Sequence, residues 1–295
     1  MANLKEVRTR IASVSSTQQI TSAMKMVSAA KFRRAQNAII GMRPYAAMLG
    51  EITADIDTED GVQTPYHEQR KPASVLLVVV TSNKGLCGAF NSNVIKEASA
   101  RVAYYSETLK VPSLQLITIG KRGSEFFGKR QGLVKASCDD LLDTPSFDNI
   151  AALASQIMQD FVDRKYDRVE VVYNQFKNSL TQILSTEQFL PVSPKSASDG
   201  NNPSAPAQHF DFIYEPDKED ILRNIIPLTL RSQFYRIILD SLAAEHGARM
   251  TAMQKATDNA TELLKDLRLS YNKARQAAIT NEIIEIVSGS EALKG

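Results

Sequence analysis

The feature that most constrains this chain is the absence of glycine and proline from about forty residues at each end. Met1 to Ile40 and Ala248 to Ser288 contain neither residue. Because glycine and proline are the residues that most strongly end helices, the two runs predict long helices on either side of a middle section rich in turn residues. At 1.5 Å per residue, each run would be about 60 Å long, more than a domain of this size needs. Helices of that length predict a chain that reaches another molecule.

The first run has the three-four spacing of a helix that packs lengthwise on a second helix. Its seam is made of Leu4, Val7, Ile11, Val14, Gln18, Thr21, Lys25, Ser28, Phe32, Ala35 and Ile39. The middle of this seam lacks apolar side chains, and a second stripe of Ile20, Met24 and Val27 points to another face there. A helix whose apolar face rotates along its length is expected to meet more than one surface. A twisting contact within the chain itself would explain the stripe equally well.

The second run continues the same spacing without a break. Its seam is Met253, Thr257, Ala260, Leu264, Leu267, Tyr271, Ala274 and Ala278. The many small residues predict a coiled coil in which the two helices approach closely. At the end of the run the apolar stripe changes phase to Ile279, Ile283 and Ile286, which predicts apolar surface outside the seam.

The middle of the chain alternates predicted strands and helices. Three β-branched segments have the composition of buried strands, namely Val75 to Thr81, Leu114 to Ile119 and Arg168 to Tyr173. Helix-length segments lie between them, at Asn93 to Leu109 and Phe147 to Arg164. This order predicts a Rossmann-like α/β sheet with right-handed crossovers. A further strand within Leu180 to Leu190 would lie antiparallel at one end of the sheet.

The predicted fold class is therefore α/β, with a long coiled coil of the terminal helices and a central Rossmann-like α/β domain. The expected segments are an N-terminal coiled-coil helix (1–56), a connector (57–73), the α/β domain (74–192), a flexible loop (193–211) and a C-terminal coiled-coil helix (212–295). Gly41 and Pro44 are expected to end or kink the first helix, and Pro227 to kink or interrupt the last one.

Composition excludes some functions. The chain is 43% hydrophobic and 23% charged with a net charge of +2, which argues against a dedicated nucleic-acid binder. The first forty residues are nevertheless basic, with seven Lys or Arg against Glu6, so a targeting peptide and a basic coiled coil that binds nucleic acid are alternatives. No run of about eighteen apolar residues is present. Cys87 and Cys138 form no CxxC motif and fit a reducing compartment.

The sequence predicts no catalytic residue, no cofactor and no metal site. The turn from Thr81 to Asn91 follows a buried strand and precedes a helix, where α/β proteins often bind phosphate, but it lacks both the P-loop and the GxGxxG pattern. A nucleotide-binding α/β enzyme with a coiled-coil interaction module is the alternative that this turn leaves open. The three histidines have no carboxylate or cysteine at metal-ligand spacing. Cys87 is interpreted as a small buried residue.

Five segments resemble a known family. They are Arg8 to Ile11 (RTRI), Thr17 to Lys31 (TQQITSAMKMVSAAK), Glu245 to Met253 (EHGARMTAM), Ala256 to Ala260 (ATDNA) and Tyr271 to Gly289 (YNKARQAAITNEIIEIVSG). Together they resemble the gamma subunit of F-type ATP synthases, and the last one is similar to the family's most specific signature. The similarity includes the GLCG turn and extends over nearly the whole chain. Departures occur at Gln19, Asn83 and Ser290, where the family commonly has Lys, an acid and Ala.

The resemblance implies a non-catalytic rotor subunit. In that family the two terminal helices form a long antiparallel coiled coil, which enters a hexamer of alternating alpha and beta subunits. The α/β domain lies beside the epsilon subunit and the membrane ring of c subunits. Proton flow turns the ring and gamma with it, for ATP synthesis or hydrolysis. By resemblance, Met24 and Lys25 would face an acidic segment of beta, Arg275 and Gln276 a beta loop, and apolar residues at the C-terminal tip an apolar sleeve. Arg249, Thr280 and Glu282 would steady the coiled coil and its coupling.

The resemblance also implies a location. Since the family motifs begin at about Leu4, we expect no cleaved presequence. A bacterial protein, peripheral on the cytoplasmic side of the inner membrane and attached through the c ring, is expected ahead of a processed mitochondrial chain. The chloroplast relatives usually carry an inserted cysteine pair, so thiol regulation is not expected with Cys87 and Cys138 as the two thiols.

Overall fold

A computed structural model of the chain describes residues 4–60, 64–129, 132–178, 181–192 and 218–292. The helices in these residues are α1 (Leu4–Asp60), α2 (Phe90–Ala103), α3 (Lys121–Phe127), α4 (Phe147–Val162) and α5 (Lys218–Ala292). The strands are β1 (Ser74–Val80), β2 (Ser113–Ile119), β3 (Val134–Ser137), β4 (Arg168–Phe176) and β5 (Gln182–Leu190). The mixed α/β class with long terminal helices is confirmed. The predicted loop at 193–211 lies outside the described residues.

The five strands form one sheet in the order β3-β2-β1-β4-β5. β1 pairs in parallel with both β2 and β4, so that Val78 lies between Ile117 and Val171. β5 pairs antiparallel with β4, as the sequence predicts. The short strand β3 and the helix α3 were not predicted; β3 pairs in parallel with β2 at one edge of the sheet.

Both faces of the sheet are covered, which explains why β1 is a continuous apolar run. Leu77 and Val79 face α2 and α3, where they pack with Val94 and Phe127. The other face packs against α4 and the first part of α5 through a larger cluster. Its members include Leu76, Val78, Ile150, Phe161, Phe234 and Ile238. Alternate side chains of a strand buried on both sides must all be apolar, as in β1.

The long helices continue through the residues that were expected to end or kink them. α1 contains Pro44 and reaches Asp60, four residues into the predicted connector, and α5 contains Pro227. A proline inside a helix removes one backbone hydrogen bond, and packing on either side offsets that cost. Ile226 and Leu230, which flank Pro227, are 2% and 3% exposed. In the sequence, the residue that directly follows the last residue of α1 is a glycine, Gly61.

The chain divides into two compact units. The paired-helix unit consists of residues 1–29 and 249–295, and the α/β unit of residues 30–248. Within the α/β unit, Ile39 of α1 packs with Leu239 and Ala243 of α5. Phe32 also lies edge-on to Phe176 of β4, with ring centroids 5.4 Å apart. The segment boundaries given above stay a prediction.

Candidate functional site

The two helices of the paired-helix unit run antiparallel. Gln18 Nε2 donates to Thr261 Oγ1 at 2.7 Å, and Thr257 Oγ1 lies 2.8 Å from Thr21 Oγ1. Residues whose numbers add up to about 278 therefore face each other across the seam. Residue numbers rise along α1 as those of the facing residues fall along α5, which is the antiparallel pairing that the resemblance implies.

Every predicted seam residue of this unit is at least half-buried. The fully buried members are Val7, Thr21, Ser28, Met253, Ala260 and Leu264. The remaining positions, from Leu4 to Lys25 on α1 and from Thr257 to Ala278 on α5, are half-buried. The three-four pattern thus gave the correct packing face, including the middle section where the side chains are polar.

The second apolar stripe of α1 is exposed. Ile20 and Val27 expose 60% and 58% of their surface, while Met24 between them is half-buried. Thr21 and Ser28, one residue further along, are 9% and 3% exposed. Hydrophobic side chains are normally buried in preference to hydroxyls, so this stretch is unusual for a helix that packs on one partner alone. A twisting contact within the chain, the alternative explanation of the stripe, therefore does not cover Ile20 and Val27 in this unit.

The C-terminal part of α5 extends beyond the described part of α1. Leu4, the first described residue of α1, faces the region of Ala274, and every side chain from Ile279 to Ser290 is exposed. The remaining stretch to Ala292 is about 20 Å long. Its exposed apolar residues are Ile279, Ile283, Ile284, Ile286 and Val287, between 47% and 71% exposed. We call this stretch the bare tip.

The structure places the seven predicted contact residues in two groups. Met24 and Lys25 are half-buried and lie opposite residues 253 and 254, about one helical turn from the buried Arg249. The other four, Arg275, Gln276, Thr280 and Glu282, are exposed and lie about 30 Å further along α5. Thr280 Oγ1 donates to Gln276 O at 2.9 Å, so two of these four are joined. The roles of all seven stay predictions.

The turn after β1 uses its own polar groups internally. The backbone N–H of Ser82 donates to Asn91 Oδ1 at 3.0 Å. At the neighbouring turn, the N–H groups of Lys121 and Gly123 donate to Asn83 Oδ1 and Thr81 Oγ1, at 3.1 and 2.9 Å. A phosphate site at a strand end needs such N–H groups to be available. The arrangement of these three amides therefore does not favour the nucleotide-binding alternative.

Cys87 lies in the same turn as a small buried residue, as predicted. It is 1% exposed and accepts a hydrogen bond from Asn91 Nδ2 at 3.2 Å. Ser82 Oγ lies 3.8 Å from the sulfur. Among the described residues, no group of three or more His, Cys, Asp or Glu side chains is arranged to hold a metal ion.

The cross-seam hydrogen bonds are the feature of this unit that sequence reasoning missed. The sequence did contain a signal for them, namely polar residues at helical spacing on both helices: Gln18 and Thr21 on α1, and Thr257 and Thr261 on α5. Their pairing depends on the antiparallel register, and the register could not be fixed from either helix alone.

The comparisons with known proteins agree with this geometry. The ATP synthase family profile matches residues 3–293. The ATP synthase gamma chain of Flavobacterium psychrophilum is 52% identical over the full length of both chains. A chain of the central stalk and c-ring structure of Tetrahymena thermophila mitochondrial ATP synthase is 26% identical with a TM-score of 0.56, covering 80% of this chain and 99% of its own. A chain of the Euglena gracilis mitochondrial ATP synthase, from its OSCP, F1 and c-ring structure, is 22% identical with a TM-score of 0.68 and covers 98% and 94%. This last match shows the fold.

Proposed function

The chain belongs to the family of ATP synthase gamma chains, and from that premise we propose that it is the central-stalk rotor subunit of an F-type ATP synthase. It is a non-catalytic subunit that transmits rotation from a proton-driven c ring to a hexamer of alpha and beta subunits. The observation that carries the proposal is the bare tip. Five exposed apolar side chains on a protruding helix end need a surrounding apolar surface.

A shaft drives a catalytic site only by contacting the site's two states with different free energies. The paired-helix unit supports this role because its faces differ chemically around the axis. One face of α1 presents Ile20 and Val27, whereas the seam beside it is closed by hydroxyl groups. As such a shaft turns, a given beta subunit would face this apolar stripe at only one stage of each rotation.

We assign contact roles to the two groups of residues described above. Met24 and Lys25 would meet an acidic segment of beta, and Arg275 and Gln276 a beta loop. Arg249, Thr280 and Glu282 would steady the coiled coil. The exposure of Arg275 and Gln276 supports direct contact, whereas the burial of Arg249 supports a role within the shaft. Thr280 and Glu282 are exposed on the bare tip, so their position supports a role in coupling more than in holding the two helices together. The epsilon subunit and the c ring would bind the α/β unit.

We further propose a peripheral location on the cytoplasmic side of a bacterial inner membrane, supported by the bacterial relatives. No helix in the described ranges has an apolar stretch long enough to cross a membrane. In inverted inner-membrane vesicles, added protease should cleave the chain, and in right-side-out spheroplasts it should not. Cleavage only in spheroplasts would contradict this location.

Reconstitution tests the function directly. Alpha and beta subunits assembled with this chain should hydrolyse ATP, and addition of the membrane sector should couple hydrolysis to proton pumping. Omission of the chain should abolish the coupled activity. A fully active and coupled complex assembled without the chain would contradict the proposal.

A further inference from the structure

The cross-seam hydrogen bonds join Gln18 and Thr257 by two separate routes. In the first route, Gln18 Nε2 donates to Thr261 Oγ1 at 2.7 Å, and Thr261 Oγ1 donates to the backbone oxygen of Thr257 at 2.8 Å. The second route runs in the opposite direction. Thr257 Oγ1 lies 2.8 Å from Thr21 Oγ1, which lies 3.0 Å from the backbone oxygen of Gln18. We call these four residues the clasp.

Proton counting shows how the second route can connect the two helices. Each threonine hydroxyl carries one proton and accepts through two lone pairs. Thr257 Oγ1 also lies 2.8 Å from the backbone oxygen of Met253, so its proton can serve either that oxygen or Thr21. When Thr257 donates to Thr21 and Thr21 donates to Gln18, both protons are used and both helices are connected. Each route then ends on a backbone oxygen of the opposite helix.

The clasp lies where the seam has no apolar side chains on α1. Val7, Ile11 and Val14 form the seam on one side of it, whereas Gln18, Thr21, Lys25 and Ser28 follow. Apolar contacts are not directional, so helices held by them alone can shift slightly along or around each other. Hydrogen bonds require a narrow range of distance and angle. A clasp at this position therefore restrains the relative axial position and rotation of the two helices.

We infer that the clasp residues Gln18, Thr21, Thr257 and Thr261 are positioning residues of the shaft, which carry shear load between α1 and α5. This inference rests on the proposed function. Met24 and Lys25 are on α1, whereas the bare tip and the second contact group are on α5. Load applied to one helix reaches the other across the seam. Directional bonds transmit that load without the slippage that apolar contacts permit.

Two variants separate positioning from simple stabilisation. Thr21→Val with Thr257→Val and Thr261→Val keeps the side-chain shapes and removes the hydroxyl groups of both routes. It adds apolar groups to the seam, so its thermal stability should equal or exceed that of the natural chain. Thr21→Ser with Thr257→Ser keeps both hydroxyls and removes two buried methyl groups, so its stability should fall. Thr9→Ala with Thr17→Ala is the matched control, because these exposed hydroxyls donate only within their own helix, to Lys5 O and Ser13 O.

The first readout uses the isolated full chain and does not depend on rotor function. Spin labels at Ala12→Cys and Asp258→Cys, both exposed positions, report the axial offset of the helices. Cys138 is replaced by serine, whereas Cys87 is 1% exposed and needs no change. The distribution of label-to-label distances should be narrow in the natural and serine chains and clearly broader in the valine chain. Equal widths in the valine and natural chains would overturn the clasp.

The second readout is coupling in the complex reconstituted with alpha, beta and the membrane sector. The valine variant should pump several-fold fewer protons per ATP hydrolysed despite its stability, and the serine variant and the alanine control should pump normally. A coupling ratio that follows thermal stability across the series would overturn the positioning role. Broader distances with normal coupling would also overturn it. A complex that is coupled without the chain would instead contradict the proposed function and leave the distance result standing.

Discussion

Lys135 Nζ lies 2.7 Å from Asp160 Oδ2 and so ties the edge strand β3 to the end of α4. Lys165 Nζ approaches the other carboxylate oxygen, also at 2.7 Å. Asp160 is 7% exposed, and a carboxylate buried to that extent requires partners for its charge. Its burial alone would raise its pKa, but the hydrogen bonds from Lys135 and Lys165 outweigh burial and hold the pKa below its usual value.

Asp160→Asn should destabilise the fold in a pH-dependent way. A carboxyl whose folded pKa is lowered contributes stability above its unfolded pKa, about 4, and this contribution is lost as the pH falls through the lower folded pKa. At pH 7 the free energy of unfolding should drop by about 2 kcal/mol, the scale of charged hydrogen bonds. Urea denaturation from pH 7 downward should show the two chains converging in acid.

Asp266→Asn is the control for that experiment, because Asp266 is exposed on α5 and no ion pair involves it in the described residues. It should change the free energy of unfolding by less than about 0.5 kcal/mol at any of these pH values. An Asp160→Asn curve that stays parallel to the natural one down to acid pH would show that this carboxylate does not titrate as argued.

Three glycines should respond differently to alanine. Gly120 has a φ of +106°, and an added Cβ would lie 2.4 Å from Thr81 O, so Gly120→Ala should lower the free energy of unfolding by about 3 kcal/mol or more. Gly132 has a φ of +81° with open space around it, so its substitution should cost only about 1 kcal/mol. Gly41 lies within α1 with nothing near its Cβ position, so Gly41→Ala should stabilise by about 0.8 kcal/mol. Thermal unfolding of the three variants would test this order, and equal effects would contradict it.

The sequence correctly predicted those helices and strands whose residue pattern is set by neighbouring residues along the chain. The three-four spacing gave both seams, and the apolar run of β1 gave a strand buried on both faces. β3 was missed because four residues with alternating burial carry little signal, and its place depends on pairing with β2 and on the Lys135 contact with Asp160. Pro44 and Pro227 were expected to disturb their helices, since the packing that offsets a proline is not visible in the sequence. The clasp likewise required the register between two distant segments.

Met24→Lys should impair coupling and leave assembly intact. Met24 is half-buried between the exposed Ile20 and Val27, so a lysine there can extend its ammonium group toward the surroundings of the shaft. A new cation would pair with the proposed acidic segment of beta and hold one rotational position more strongly than the others. The ratio of protons pumped to ATP hydrolysed, measured in reconstituted vesicles, should fall. Met24→Leu is the control, and an unchanged ratio in the lysine variant would contradict the assigned contact.

The bare tip should matter to the complex and not to the fold of the chain. Ile283 and Ile286 are 55% and 71% exposed, so Ile283→Ser with Ile286→Ser should change the free energy of unfolding by no more than about 1 kcal/mol. Burial of two isoleucines in an apolar sleeve would contribute several times that amount, so affinity for the alpha and beta hexamer should fall by at least about tenfold. This is measured by titrating labelled chain into the hexamer.

Two leucines of the same helix show whether hexamer binding depends on apolar exposure in general or on the position of the bare tip. Leu269 is 54% exposed but lies before the bare tip, so Leu269→Ser should leave affinity for the hexamer nearly unchanged. Leu264 is 5% exposed in the seam, and Leu264→Ser should lower the free energy of unfolding by about 3 kcal/mol. If the tip variant bound the hexamer as tightly as the natural chain, the exposed isoleucines would not be contact residues. If Leu269→Ser weakened binding equally, apolar exposure anywhere on α5 would explain the effect, and the tip would have no special role.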